Sequence, residues 1–245
     1  MNGGTLLASY VFGSVGRGQA DHLSDLDILA VVENAKGKVP ENVVLATVPA
    51  TLRRMKSSIS WYGENRLREM FANGELFAWH LHRETRPLFD PQGFLAKIGT
   101  PSPYRDTERD VASFIKVMRE IPAQIAVNQG NAIYEAGLIY VCLRNIAMSA
   151  SWDLCDAPDF SRYSIFNLGG VPRCPLSQVE FEQAMFCRMA GQRGAPPPDG
   201  VDAAFVIDVH SRVWPWLEVL SERLSGVRNE WIIKQDGPAS NLELK

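Results

Sequence analysis

Asp25 and Asp27 sit two residues apart in the run SDLDILAVV, which is otherwise apolar after its first residue. In an extended strand alternate side chains share a face, so these two carboxylates point the same way while Leu26 and Ile28 point into a core. Two close carboxylates repel, and left alone at least one would be driven toward its protonated form. A divalent cation removes that penalty. Carboxylates with phosphate oxygens are the usual environment of Mg²⁺, a hard ion that binds through few protein ligands. A phosphate site stands upstream. The apolar run LLASYVF ends in Gly13 and Ser14 and leads into a short helix. Gly13 permits close backbone approach, and the free N–H groups at a helix start favour a phosphate. Ser14 adds a hydroxyl, Arg17 a cation one turn later, and Ser24 a second hydroxyl just before the acids. The chemistry this spacing points to is a metal-bound phosphate ester.

These residues need strands to hold them. Leu6–Phe12 and Leu26–Val32 read as buried strands, residues 42–50 (NVVLATVPA) as a third and 58–63 (SISWYG) as a short fourth. Residues 51–56 leave room for about one and a half helical turns. From Glu64 the period changes: Leu67, Met70, Phe71, Leu76, Phe77, His80 and Leu81 recur at three- and four-residue steps, which predicts a helix kinked near Gly74. Strands alternating with helices suggest an α/β layer. Gly, Pro and Ser cluster over residues 97–106, and beyond them residues 107–121, 131–152, 177–193 and 203–224 read as amphipathic helices. Thr107 and Ser177 are candidate N-caps, with Asp110 and Glu180 three residues on. The organisation expected is an α/β domain at 1–100, an all-α helical bundle at 101–226 and a polar tail at 227–245.

Composition sets the outer limits. At 46% apolar and 22% charged, the chain is an ordinary globular protein, and its formal charge of −3 advertises no global affinity for nucleic acid. The first residues lack a basic, apolar leader, and no window is long and apolar enough to span a bilayer, so a cytoplasmic protein without a membrane partner is expected. Cys142, Cys155, Cys174 and Cys187 form no C-x-x-C pair, which argues against a zinc site and fits free thiols.

The stretch GSVGRGQADHLSDLDI, with ten residues between Gly-Ser and the first acid, resembles the signature of the polymerase-β-like nucleotidyltransferases. The R-G and the S-D-L-D resemble its smaller bacterial members, among them kanamycin- and streptomycin-type enzymes and minimal nucleotidyltransferases joined to a helical domain. The resemblance is sharp over Leu6–Val32, holds in layout to Asp90, and is architectural beyond Pro101. It implies an N-terminal nucleotidyltransferase fold, a small mixed sheet with flanking helices. It also implies that Gly13 and Ser14 hold the β and γ phosphates of a nucleoside triphosphate, ATP being the one expected, and that Asp25 and Asp27 bind Mg²⁺, with two ions possible. The reaction implied is transfer of a nucleoside monophosphate to an acceptor hydroxyl, on a small molecule, a protein or RNA, with release of pyrophosphate.

The family commonly places a third acid on a later strand. Alternate positions of SISWYG carry Ser58, Ser60 and Tyr62, and Glu64 lies just past the end. Either Glu64 or another acid substitutes, or one metal is bound, or the protein is a weak or inactive regulatory, antitoxin-like relative. Kanamycin-type enzymes suggest a base from the second domain, for which Glu135 is the candidate. A structural ion pair at an interface is the competing reading and stands ahead of it. The helix around Glu135 resembles the core of HEPN-type domains, which often pair with these enzymes. Its nuclease form needs R-N-x-x-x-H, and here Arg144 and Asn145 are followed by Ser149, so RNA cleavage is disfavoured. His80 and Glu84 share a helical face that His82 does not, which reads as a hydrogen-bonded pair. A homo-oligomer is compatible with the helical domain.

Overall fold

The computed structural model of the protein describes residues 4–235. The chain divides into two compact units, the first ending at Arg105 and the second beginning at Asp106. In the first, β1 (Leu6–Phe12), the short α1 (Gly13–Arg17), β2 (Leu26–Val32), α2 (Glu41–Ala46), β3 (Ser57–Gly63), α3 (Glu64–Ala72), α4 (Leu76–Glu84), β4 (Arg86–Phe89) and α5 (Phe94–Ile98) follow in order. The sheet runs β3-β2-β1-β4, with β1 antiparallel to both β2 and β4 and β3 parallel to β2.

The two central strands are apolar on both sides because both sides are covered. Tyr10, Phe12, Leu29 and Val31 pack with Leu67, Met70 and Phe71 of α3 and Leu81 of α4. Val11, Leu26, Ile28, Ala30 and Val32 pack with Val39, Val44 and Val48. The predicted mixed α/β sheet is therefore present, with three departures from the expected elements.

Residues 42–50 are not a strand. Residues 42–46 belong to α2, which is entered from Pro40 with Glu41 in its first turn. The β-branched content suggested a strand, yet the fully buried residues Val44 and Val48 are four apart while Val43 is exposed, which is helical spacing. Residues 51–56 form turns with no helix.

The kinked helix is two helices. Gly74 has φ +65°, and a Cβ there would lie 2.4 Å from the Ser102 carbonyl oxygen and 2.6 Å from that of Pro103. A continuous helix does not fit that turn.

After α4 the chain returns as β4, which sequence periodicity hid. Pro87 lies within it, opposite Tyr10. Proline is tolerated in a sheet at an edge, and β4 is an edge strand.

The second unit is helical: α6 (Thr107–Val127), α7 (Ala132–Leu154), α8 (Gln178–Arg193) and α9 (Ala203–Gln235). Its core joins Met118 and Ile121 of α6, Ile139, Leu143 and Ile146 of α7, Phe181 of α8, and Val206, Val213 and Leu220 of α9. Gly137 lets α7 and α8 meet, since a Cβ there would lie 2.9 Å from Arg188 Cα. Ser177 caps α8 as a full capping box, its Oγ accepting the Glu180 N–H at 3.2 Å and the Glu180 carboxylate accepting the Ser177 N–H at 2.8 Å. Thr107 is not a cap; Asp106 holds that position for α6 without a side-chain capping bond. Helix α6 passes Pro122 to reach Val127, and α9 continues beyond residue 226, where the tail was expected to begin, to Gln235. Residues 236–245 of that expected tail lie outside the described residues. No described helix is long and apolar enough to cross a membrane.

Candidate functional site

Strand ends of the first unit gather the chemistry at one edge. Phe12, the last residue of β1, pairs with Asp27 of β2, so the chain turns into Gly13 beside the aspartate. Gly13 has φ +67°, a conformation that favours glycine. A Cβ on it would lie 2.7 Å from Asp27 Oδ2. The Gly-Ser turn and the acid face each other at a distance only a glycine permits. Ser14 is half-buried at the start of α1, whose preceding residue, Phe12, supplies no side-chain cap.

Asp25 and Asp27 are half-buried, while Leu26 between them is 1% exposed. The alternation expected of the pair is present, with Asp25 just outside β2. Asp27 is thus on the side of the sheet that carries Phe12 and Leu29.

Ser58 of β3 pairs with Asp27 and Ser60 with Leu29, so the side chains flanking Asp27 from β3 are hydroxyls. Glu64 is not a substitute. It follows Gly63, which pairs with Val32 at the other end of the strand, about 20 Å from Ser58 at the rise of an extended chain. There it accepts bonds from Arg68 at 2.9 and 3.0 Å. Among the described residues no group of three His, Cys, Asp or Glu side chains is arranged to hold a metal.

Arg17 and Ser24 are both engaged within the first unit. Arg17 Nη1 donates to Glu84 Oε2 at 2.6 Å and its Nε to Gln19 at 3.0 Å. Glu84 Oε2 also meets His80 Nε2 at 2.7 Å, the pair expected from their helical spacing. Burial pushes the Glu84 carboxyl up, but the His80 and Arg17 bonds and charges outweigh it and hold it below the usual carboxylate range. His80 in turn sits edge-on to Phe12, 5.6 Å between ring centres. Beneath the ion pair the backbones touch, since a Cβ on Gly16 would fall 2.2 Å from the Glu84 carbonyl oxygen. Glu84 thereby ties the end of α4 to α1. Ser24 Oγ donates to Asp21 Oδ1 at 2.8 Å and accepts the Asp21 N–H at 3.0 Å, which shapes the turn before the acids.

Sequence reading missed Arg86. It opens β4 opposite Val11, at the same end of the sheet, and its guanidinium lies 3.6 Å from where a Cβ on Gly18 would be. The proline after it concealed the strand that places it there.

Glu135 belongs to the second unit, in the first turn of α7. It is 3% exposed, and its Oε2 has no hydrogen-bond partner among the described residues. Burial alone pushes its carboxyl above the usual range. Further along α7, Asn145 donates to the Val141 carbonyl at 2.7 Å, and Ser149 is buried. The four cysteines are free, and burial pushes the Cys142 thiol up to about 12.

Residues 5–79 match the family model described as a nucleotidyltransferase domain. The match runs from β1 into α4 and includes Gly13, Ser14, Asp25, Asp27 and the β3 serines. The similarity is to this segment of the first unit, and it is a similarity to a nucleotidyltransferase domain. No curated protein matches the chain.

Proposed function

We propose that the first unit binds a nucleoside triphosphate with Mg²⁺ and transfers its nucleoside monophosphate to an acceptor hydroxyl. The observation that carries this reading is the closure of Gly13 on Asp27, with its 2.7 Å Cβ contact, inside a segment that matches a nucleotidyltransferase domain. The donor set suits the ion, because Mg²⁺ is commonly held by one or two carboxylates together with substrate phosphates. Asp25 and Asp27 would hold it. When bound, it supplies charge neutralisation on the triphosphate and eases ionisation of the attacking hydroxyl.

The chain's own residues do the rest by position and charge. The Gly13–Ser14 backbone and the Ser14 hydroxyl hold phosphate oxygens, and Arg86 offers the cation on that side that Arg17, engaged by Glu84, offers less readily. The acceptor oxygen bonds to the α-phosphorus and the bond to the bridging oxygen breaks. Pyrophosphate departs, and the hydroxyl proton passes to solvent. ATP is the triphosphate we expect.

Ser58 and Ser60 on the Asp27 side of β3 favour a second reading, a nucleotide-binding regulatory protein with little or no turnover. Incubation with α-labelled triphosphates and Mg²⁺, with the intact protein and Asp27→Asn compared, separates the two. Labelled acceptor or released pyrophosphate, lost in the variant, supports transfer. Mg²⁺-dependent binding without pyrophosphate release supports the second reading. Absence of any Mg²⁺-dependent triphosphate binding by folded protein removes both.

A further inference from the structure

The ends of the strands form a row with a fixed order. The Gly-Ser turn closes β1, the two acids open β2, and β3, which is parallel to β2, begins beside them. Triphosphate held at β1 and reacting atoms at β2 leave the β3 side for the acceptor. That side is basic. Arg53, Arg54 and Lys56 lie in the turn just before β3, and all three are exposed. Backbone bonding ties this turn to the acids, because Leu26, between Asp25 and Asp27, donates its N–H to the Lys56 carbonyl at 2.9 Å. Arg53 donates to the carbonyls of Val48 and Ala46 at 2.8 and 3.2 Å, which fixes the turn without neutralising it. None of the three forms an ion pair with a carboxylate among the described residues. Ser57 and Ser58 follow, exposed, with Ser58 in register with Asp27.

Three cations within four residues, in a chain of net charge −3, are a local feature rather than a general one. They stand just before Ser58, which is in register with Asp27. We infer that the acceptor is the end of a single nucleic-acid strand, its backbone phosphates on Arg53, Arg54 and Lys56 and its terminal hydroxyl toward the acids. Three exposed cations on one turn offer counter-charge to more than one phosphate, which a strand with successive phosphates supplies. This inference rests on the transfer reading above, and it names that reading's acceptor.

The test uses the full chain and the double variant Arg54→Gln/Lys56→Gln. Both side chains are exposed, and Arg53 is kept because it holds the turn. Binding of a short fluorescein-labelled single-stranded RNA, and of DNA of the same sequence, is followed across a salt series. Binding of a triphosphate with Mg²⁺ is measured in parallel. Wild type should bind a strand with strong salt dependence. The variant should bind about tenfold more weakly with a slope shallower by about 1–2, since each lost phosphate contact removes about 0.7 from it. Its triphosphate affinity should be unchanged. Triphosphate binding without strand binding in wild type overturns the inference and leaves the transfer reading standing. An unchanged slope in the variant overturns it, as does a fall in triphosphate affinity, which would place these cations on the donor. Equal competition by a sugar phosphate would make the acceptor a small phosphorylated molecule instead. Failure of wild type to bind triphosphate removes the transfer reading itself.

Discussion

Glu84→Gln is the sharpest test of how the Gly-Ser turn is held. The carboxylate is 6% exposed and takes two bonds on one oxygen, from Arg17 at 2.6 Å and His80 at 2.7 Å. Removing one member of a buried ion pair costs about 3–5 kcal/mol, because the other charge is left uncompensated. Arg17 keeps 19% of its side-chain surface in water, so solvent recovers part of that and about 2–3 kcal/mol is expected. For a unit of about 100 residues this is a fall of roughly 10–15 °C in Tm. The pH dependence has a definite sign. The folded carboxyl titrates below its ordinary value of 4.5, so its contribution is complete above that value and is lost as pH falls through the lower, folded one. Wild type and variant should therefore differ most near neutral pH and converge on the acid side. Urea melts from pH 7 to about 3 measure this directly. A difference under about 0.5 kcal/mol, the ordinary scatter of a surface change, or one that stays constant with pH, would refute the assignment of Glu84 as the clasp between α4 and α1.

Gly13→Ala should cost about 1–2 kcal/mol for its left-handed backbone alone, and its Cβ, 2.7 Å from Asp27 Oδ2, should push the carboxylate aside. Mg²⁺-dependent triphosphate binding measured by calorimetry should weaken at least tenfold, and wild-type affinity would show that the turn and the acid do not share a ligand. Glu135→Gln should raise stability at neutral pH. Burial lifts this carboxyl above its ordinary 4.5, so its contribution is greatest below that value and is lost as pH rises through the folded one. Thermal melts at pH 5 and 8 should show the gain only at the higher pH, and a variant less stable than wild type would mean that the carboxylate has a charged partner.

The acids and the Gly-Ser turn were legible because their information is local. A spacing of two fixes a shared strand face, and Gly13 announces a turn whatever the fold around it. The hydroxyl at Ser58 was legible for the same reason, but its register with Asp27 was not, because pairing between strands is a long-range property. That register excludes Glu64 as a stand-in, a point the sequence left open. Residues 42–50 misled because β-branched content outweighed the four-residue spacing of Val44 and Val48. β4 was hidden by Pro87, which reads as a breaker until the strand is seen to be an edge. Arg17 has an ion-pair partner that no local pattern reveals. Its partner is 67 residues away.

The same distinction explains the basic turn. Read linearly, residues 53–56 are a charged run of a kind usually left to solvent. They acquire a role because β3 is parallel to β2, which brings its first residues, and not its last, beside Asp25 and Asp27. Had β3 run the other way, Glu64 would stand near the acids and the cations would lie at the far end. Strand direction therefore decides both what β3 lacks beside Asp27, a third carboxylate, and what it brings there instead, hydroxyls preceded by cations.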